Sequence, residues 1–175
     1  MFSSKILWVA ALLLAFQSNA TTVIGRVVSV ADGDTITVLD DTRTQHKIRL
    51  AGIDSPEKKQ PFGQRSKESL SDLVFSKTVT VDTDKRDKYG REVGKVLVDG
   101  IDANLEQIRR GMAWHYKAYD REQSAIDRKV YADAENEARA ARRGLWADAV
   151  PVPPWEFRHN RQLTGGSNGI FKDGL

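Results

Sequence analysis

The chain has 175 residues, with 27 lysines and arginines against 24 aspartates and glutamates, so its formal net charge is +3 at neutral pH. Proteins that bind nucleic acid by charge alone are usually far more basic, which excludes that class. The sequence contains no cysteine, and this excludes disulfide bonds and thiolate metal sites. The length suits one domain with a hydrophobic core.

The first 20 residues have the pattern of a secretory signal peptide. Lys5 is their only charged residue, residues 6–16 are apolar, and small residues precede Thr21. A membrane-spanning helix needs about 20 apolar residues, nearly twice the length of this run. We therefore predict cleavage between Ala20 and Thr21, export to the periplasm or the medium, and no membrane anchor in the mature protein.

Five segments of the mature chain are typical of strands, because they are rich in β-branched residues or alternate polar with apolar residues. In one of them, Ile48 and Leu50 share one face, so Arg49 points away from that face. The five segments are residues 23–30, 35–38, 46–51, 78–81 and 94–98.

Three further segments, residues 66–75, 102–111 and 121–143, have helical spacing of apolar residues. Asp102 is placed as the N-cap of the second helix, and Gly111 as its end. The third helix is expected to bury a stripe formed by Ile126, Val130, Ala134, Ala138 and Ala141.

These elements predict an α+β fold that is mostly β barrel: a five-stranded barrel of the oligonucleotide/oligosaccharide-binding (OB) kind with three α-helices. We expect this domain to cover residues 21–150. Residues 151–175 begin with prolines and end in glycine, serine and asparagine, so they are predicted to form a Pro-rich and then flexible C-terminal tail.

Charged residues gather in three short motifs at the predicted strand ends. Carboxylate oxygens bind hard cations, and arginine grips phosphate with a planar, permanently charged fork. Taken singly, each motif also has a structural explanation, as a surface turn, a helix N-cap or a solvated strand residue. The motifs are Asp32-Gly33-Asp34-Thr35; Arg49 with Asp54-Ser55-Pro56-Glu57; and Asp87-Lys88-Tyr89-Gly90-Arg91.

In their order and spacing, the three motifs resemble those of the staphylococcal (micrococcal) nuclease family over roughly residues 22–150. The resemblance implies a five-stranded barrel with three helices. It also implies a Ca²⁺-dependent phosphodiesterase that cuts DNA and RNA with little base specificity and leaves 3′-phosphates. Ca²⁺ is then the cofactor and nucleic acid the partner, and we expect a monomer.

The resemblance further implies roles for individual residues. The metal falls on Asp34, Asp54 and the main-chain carbonyl of Ser55. Glu57 matches the glutamate that contacts the metal-bound water and is proposed as general base. Arg49 and Arg91 match the two arginines that hold the scissile phosphate, which makes Arg49, Glu57 and Arg91 the predicted catalytic set.

Four residues are predicted to bind substrate. Lys88 and Tyr89 match residues near the terminal phosphate of a bound nucleotide. Tyr119 aligns with the second of the family's two base-stacking tyrosines. The first falls on Lys117, with Tyr116 beside it, so we predict Tyr116 and Tyr119 as the stacking pair.

Two other functions stay open from the sequence. One is a non-catalytic nucleic-acid-binding OB module, and the other, less favoured, is a carbohydrate-binding barrel. A pure binding module would not need all five of Asp34, Arg49, Asp54, Glu57 and Arg91, and their joint presence favours a secreted nuclease.

Overall fold

The structure is a computed structural model, and it describes residues 21–166. Four α-helices are present in this part: α1 (Gly63–Val74), α2 (Ala103–Arg109), α3 (Ala125–Ala140) and α4 (Pro154–Gly166). The strands are β1 (Thr21–Asp32), β2 (Thr35–Asp40), β3 (Gln45–Leu50), β4 (Ile53–Asp54), β5 (Thr78–Arg86), β6 (Glu92–Val98), β7 (Ile101–Asp102) and β8 (Trp114–His115).

Five of the strands close into a barrel. β1 pairs antiparallel with both β2 and β5, β2 pairs with β3, and β5 pairs with β6. A parallel pairing of β3 with β6, in register at Ile48 and Glu92, closes the ring. This closed barrel with its helices confirms the predicted α+β class and the five-stranded OB architecture.

The barrel interior is filled by every second residue of its strands, as the alternation in the sequence predicted. In β6, for example, buried and half-buried residues alternate from end to end. Leu70 and Val74 of α1 and Ile108 of α2 cover the barrel and are fully buried. The most deeply buried apolar strand residues are Val27, Ile36, Val38, Ile48, Leu50, Ile53, Val79, Val81 and Val96.

The second and third helices differ in how well the sequence predicted them. Asp102 caps α2 as expected, because its side chain accepts a hydrogen bond from the Leu105 N–H at 3.0 Å. Helix α3 is shorter than predicted and begins after Ser124, whose hydroxyl accepts from Asp127 N–H. The predicted stripe is wrong at Ile126, which is 76 % exposed, and at Ala141, which follows the last residue of α3 and is exposed.

The C-terminal segment also differs from the predicted flexible tail, since residues 154–166 form α4. Pro154 is its first residue, where a missing N–H costs nothing, and Glu156 lies in the first turn, where the helix dipole favours an acid. Trp155 packs edge-on against Trp114, with ring centroids 5.6 Å apart. The rest of the predicted tail, residues 167–175, lies outside the described residues.

The predicted signal peptide, residues 1–20, also lies outside the described part of the chain. Between residues 21 and 166, no helix combines the length and the apolar character needed to cross a bilayer.

Candidate active site

All three charged motifs meet at one end of the barrel. Strand pairing brings them together there. Thr35 at the start of β2 pairs with Arg49 near the end of β3, and Arg49 in turn pairs with Val93 near the start of β6. A pocket of about 660 Å³ opens at this end. Every predicted site residue lines it: Asp34, Arg49, Asp54, Ser55, Glu57, Lys88, Tyr89, Arg91, Tyr116 and Tyr119.

Asp34 lies in the turn between β1 and β2, and Gly33 allows this turn to pack tightly. A Cβ on Gly33 would fall 1.8 Å from the Ser66 hydroxyl oxygen and 2.8 Å from Ser55 Cβ. In the resulting position, Asp34 Oδ2 accepts a hydrogen bond from Ser55 N–H at 2.6 Å. The turn therefore fixes the Asp34 carboxylate against the second motif.

Burial and neighbouring charge shift the pKa of Asp34 in opposite directions, but they shift the pKa of its neighbour Asp32 in the same direction. Burial alone would raise the pKa of Asp34, but the positive charge of Arg49 and the Ser55 hydrogen bond lower it. Burial, together with the negative charge of Asp34, raises the pKa of Asp32 to about 6. Asp34 is therefore the member of this pair that loses its proton at the lower pH.

Arg49 joins the two predicted metal ligands. Its NH2 group donates to Asp54 Oδ1 at 2.9 Å, and its NH1 group contacts Asp34 Oδ2. Asp54 itself is held in β4, which pairs with β8 through Trp114, and its side chain is 1 % exposed. One guanidinium between two buried carboxylates places the acids where they can share a cation.

Arg91 is held by a tight turn before β6. Its Nε donates to Asp87 Oδ2 at 2.7 Å, and its NH1 donates to the Thr35 hydroxyl at 3.3 Å. Asp87 also accepts hydrogen bonds from the Tyr89 and Arg91 N–H groups at 2.9 and 3.0 Å. Gly90, with φ of +78°, supplies the left-handed position of this turn.

The predicted aromatic pair, Tyr116 and Tyr119, also lines the pocket. The Tyr116 and Tyr119 rings are 5.2 Å apart and tilted, and Tyr119 is 51 % exposed. Tyr116 stacks on Trp155 of α4 at 5.4 Å. The Lys85 ammonium lies 5.5 Å from the Tyr119 ring.

The protein-family model described as "Staphylococcal nuclease homologue" matches residues 47–148 of this chain. The chain belongs to the staphylococcal nuclease family. This membership confirms the resemblance stated above, and it supports nuclease activity.

Similar proteins of known sequence agree with this family. An "uncharacterized endonuclease" of Escherichia coli O157:H7 is 48% identical over 138 residues, which cover 78% of this chain and 86% of that protein. A protein of the same name from Haemophilus influenzae is 41% identical over 138 residues, covering 79% and 74% of the two chains. "Staphylococcal-like nuclease CAN1" of Arabidopsis thaliana is 42% identical over 116 residues, covering 66% of this chain and 34% of that one.

The structure adds residues to this nuclease site that the motifs did not identify. Arg158 of α4 contacts both Asp54 and Glu57, and Trp155 of the same helix supports Tyr116. A proline pair followed by an acid in residues 153–156 is a signal for a helix start. No local pattern shows which site Arg158 contacts, because it is 104 residues from Asp54 in the chain.

The groups predicted to bind a metal ion at this site would do so through oxygen atoms. Within residues 21–166, no group of three or more histidines, aspartates or glutamates is arranged to hold a metal ion. No histidine is among the residues lining the pocket. Asp34 and Asp54 are the two predicted side-chain ligands, and the carboxylates of Asp32, Glu57, Asp87 and Glu122 also line the pocket.

Proposed function

We propose that this protein is a Ca²⁺-dependent phosphodiesterase that hydrolyses DNA and RNA with little base specificity and leaves 3′-phosphates. One observation carries the proposal. Two buried carboxylates, Asp34 and Asp54, are joined by Arg49 in the same pocket that holds Glu57 and Arg91. A module that only binds nucleic acid has no use for buried acids, which repel phosphate.

The arginines suit the charge that develops during hydrolysis. In-line attack on a phosphodiester places negative charge on the phosphoryl oxygens and on the leaving oxygen. Arg49 and Arg91 are already oriented by carboxylates, so they meet that charge with little reorganisation. Glu57 lines the pocket with its side chain 36 % exposed, and in this proposal it accepts a proton from an attacking water.

The donor chemistry fits Ca²⁺. This ion takes six to eight oxygen ligands in flexible geometry, whereas Zn²⁺ favours nitrogen and sulfur ligands. Asp34, Asp54 and the Ser55 carbonyl would hold it. When bound, Ca²⁺ would supply a Lewis acid that polarises the phosphoryl oxygen.

The substrate-binding residues support low base specificity. Tyr116 and Tyr119 offer stacking surfaces, and every base has a face that can stack. Lys88 and Tyr89 line the pocket and are exposed, and the positive charge of Lys88 suits the phosphate backbone.

A cleavage assay with a matched variant tests the proposal. Wild-type protein and Glu57→Gln are incubated with plasmid DNA and with single-stranded RNA in CaCl₂, in MgCl₂ and in excess chelator. We expect cleavage of both substrates in Ca²⁺, much less in Mg²⁺, none with chelator, and 3′-phosphate ends. Glu57→Gln should cut slower by about 10²-fold or more. Substrate that is bound and never cut would favour the binding module instead.

We also propose that the enzyme acts outside the cytoplasm, as a monomer. Cleavage between Ala20 and Thr21 would leave β1, which begins at Thr21, intact. Intact mass of the protein from its native host tests the processing, and light scattering of the purified protein tests the monomer. A chain that keeps its first 20 residues would overturn the proposed export.

A further inference from the structure

Helix α4 is positioned at the pocket by aromatic packing. Trp155 lies between two rings of the barrel side: it packs edge-on against Trp114 at 5.6 Å and stacks on Tyr116 at 5.4 Å. The loop before α4 is also attached, because Gln60 Nε2 donates to the Val152 carbonyl at 2.6 Å. These contacts place the next turn of α4 over the acids.

Arg158 on that turn binds both predicted functional acids of the second motif. Its NH2 donates to Asp54 Oδ2 at 2.8 Å, while its NH1 donates to Asp54 Oδ1 at 3.2 Å and to Glu57 Oε1 at 2.7 Å. The contact with Asp54 is therefore two-pronged, the strongest form of an arginine–carboxylate pair. The Arg158 side chain is 41 % exposed and lines the pocket, so it is also open to a ligand there.

Arg158 and a divalent cation would compete for Asp54. Both Asp54 oxygens accept hydrogen bonds from Arg158, and Oδ1 accepts a further one from Arg49. A doubly charged ion at these oxygens would repel the adjacent guanidinium, and it would take the lone pairs that Arg158 uses. Arg158 must then turn away from Asp54, toward the pocket that it already lines.

We propose that Arg158 is a third phosphate-binding arginine of the site, which exchanges partners. It pairs with Asp54 and Glu57 until a cation engages Asp54, and it then binds a phosphate of the nucleic acid. Arg49 and Arg91 come from the barrel, whereas Arg158 comes from a separate helix, so the C-terminal segment takes part in the site. This inference rests on the proposed Ca²⁺-dependent function.

The first arm of the test measures Ca²⁺ binding without nucleic acid. Calorimetric titration with CaCl₂ compares wild type, Arg158→Gln and Arg158→Lys. Arg161→Gln is the matched control, because it removes the same charge one turn further along α4, and Arg161 does not line the pocket. Losing the competing guanidinium should tighten Ca²⁺ binding by on the order of tenfold in Arg158→Gln. Arg158→Lys should change it less, since lysine keeps the charge and loses the fork.

The second arm measures nucleic-acid binding in saturating CaCl₂. The probe is a phosphorothioate single-stranded oligonucleotide, which keeps the charge of every linkage and resists cleavage. Fluorescence anisotropy should show several-fold weaker binding by Arg158→Gln than by Arg161→Gln. The salt dependence of its binding constant should also be shallower by about 0.7 in logarithmic slope, the loss of one phosphate contact.

Each outcome decides the proposal. Tighter Ca²⁺ binding combined with weaker oligonucleotide binding supports it. Equal Ca²⁺ affinities in Arg158→Gln and Arg161→Gln, or equal oligonucleotide affinities, overturn it while leaving the proposed nuclease function intact. A wild-type protein that binds no Ca²⁺ overturns both. Circular dichroism and thermal melting of each variant verify that differences come from the site and not from unfolding.

Discussion

At the residue scale, each arginine that approaches the pocket interior is paired with a carboxylate. Arg49 contacts Asp34 and Asp54, and Arg91 is held by Asp87 through two of its nitrogens. Such pairs fix the direction of the guanidinium plane as well as its charge. The geometry of the fork, and not the charge alone, should therefore decide the rate of cleavage.

Arg91→Lys tests this at one residue. Lysine keeps the positive charge but loses the planar fork, so kcat should fall by on the order of 10²-fold. KM should change little, because the contact is made mainly as charge develops. Steady-state kinetics on one oligonucleotide decide it, with Arg26→Lys, an exposed arginine that does not line the pocket, as the control. An Arg91→Lys enzyme as fast as wild type would remove the catalytic role from Arg91.

His46 makes the stability of the fold depend on pH. It bonds Asp40 Oδ2 at 2.9 Å and Glu92 Oε1 at 3.1 Å, and these two carboxylates raise its pKa. A raised pKa stabilises the fold fully below the unfolded value of about 6.5, and this contribution is lost as pH rises through the folded value. The free energy of unfolding should therefore differ more between wild type and His46→Gln at about pH 6 than at about pH 9. A difference that stays constant with pH would contradict the pairing.

The residues that the sequence predicted and those that it missed differ in how local their signals are. Asp34, Arg49 and Arg91 lie in short motifs whose order and spacing are visible along the chain. Asp87 is inside a motif, but its role in holding Arg91 shows only in the structure. Arg158 meets its partners across about a hundred residues of chain, and no periodicity or turn signal carries such information.

At the element scale, the strands were predictable because alternation follows directly from which face is buried. The apolar stripe predicted for α3 described its buried face less well than alternation described the strands. Its buried face includes Tyr131, whose hydroxyl donates to Asp102, and Glu135, which accepts from His115 N–H and from the Lys117 ammonium. A glutamate on a buried face is stable here because it satisfies a main-chain donor. Apolar periodicity does not report such a contact.

The packing of Trp155 on Trp114 and Tyr116 should stabilise helix α4. Trp155 is half-buried, so Trp155→Ala should lower the free energy of unfolding by about 1–2 kcal/mol, less than for a fully buried tryptophan. Amide hydrogen exchange in residues 154–163 should become faster, because the helix loses its packing on Trp114 and Tyr116. Leu163→Ala, which removes a 63 % exposed side chain from the same helix, should have neither effect. Unchanged exchange in Trp155→Ala would mean that other contacts hold α4 in place.

At the scale of the whole molecule, net charge says little about the substrate. A net charge of +3 is small, yet Lys85, Arg86, Lys88 and Arg91 all line one pocket beside the acids. The barrel topology concentrates this charge, because β5 and β6 are joined at the same end as the turn carrying Asp34. The pocket lining carries six basic and six acidic side chains, so attraction of a polyanion depends on where the basic side chains lie and not on net charge.

The central claim is that Asp34 and Asp54 bind the Ca²⁺ on which cleavage depends. The most direct measurement is the initial rate of cleavage of one fluorogenic oligonucleotide across a Ca²⁺ titration, for wild type and for Asp34→Asn. We expect no cleavage in excess chelator and recovery on adding Ca²⁺. The half-maximal Ca²⁺ concentration should be at least about tenfold higher for Asp34→Asn, because this variant loses one charged ligand. Full wild-type activity in excess chelator, or superimposable curves for the two proteins, would contradict it.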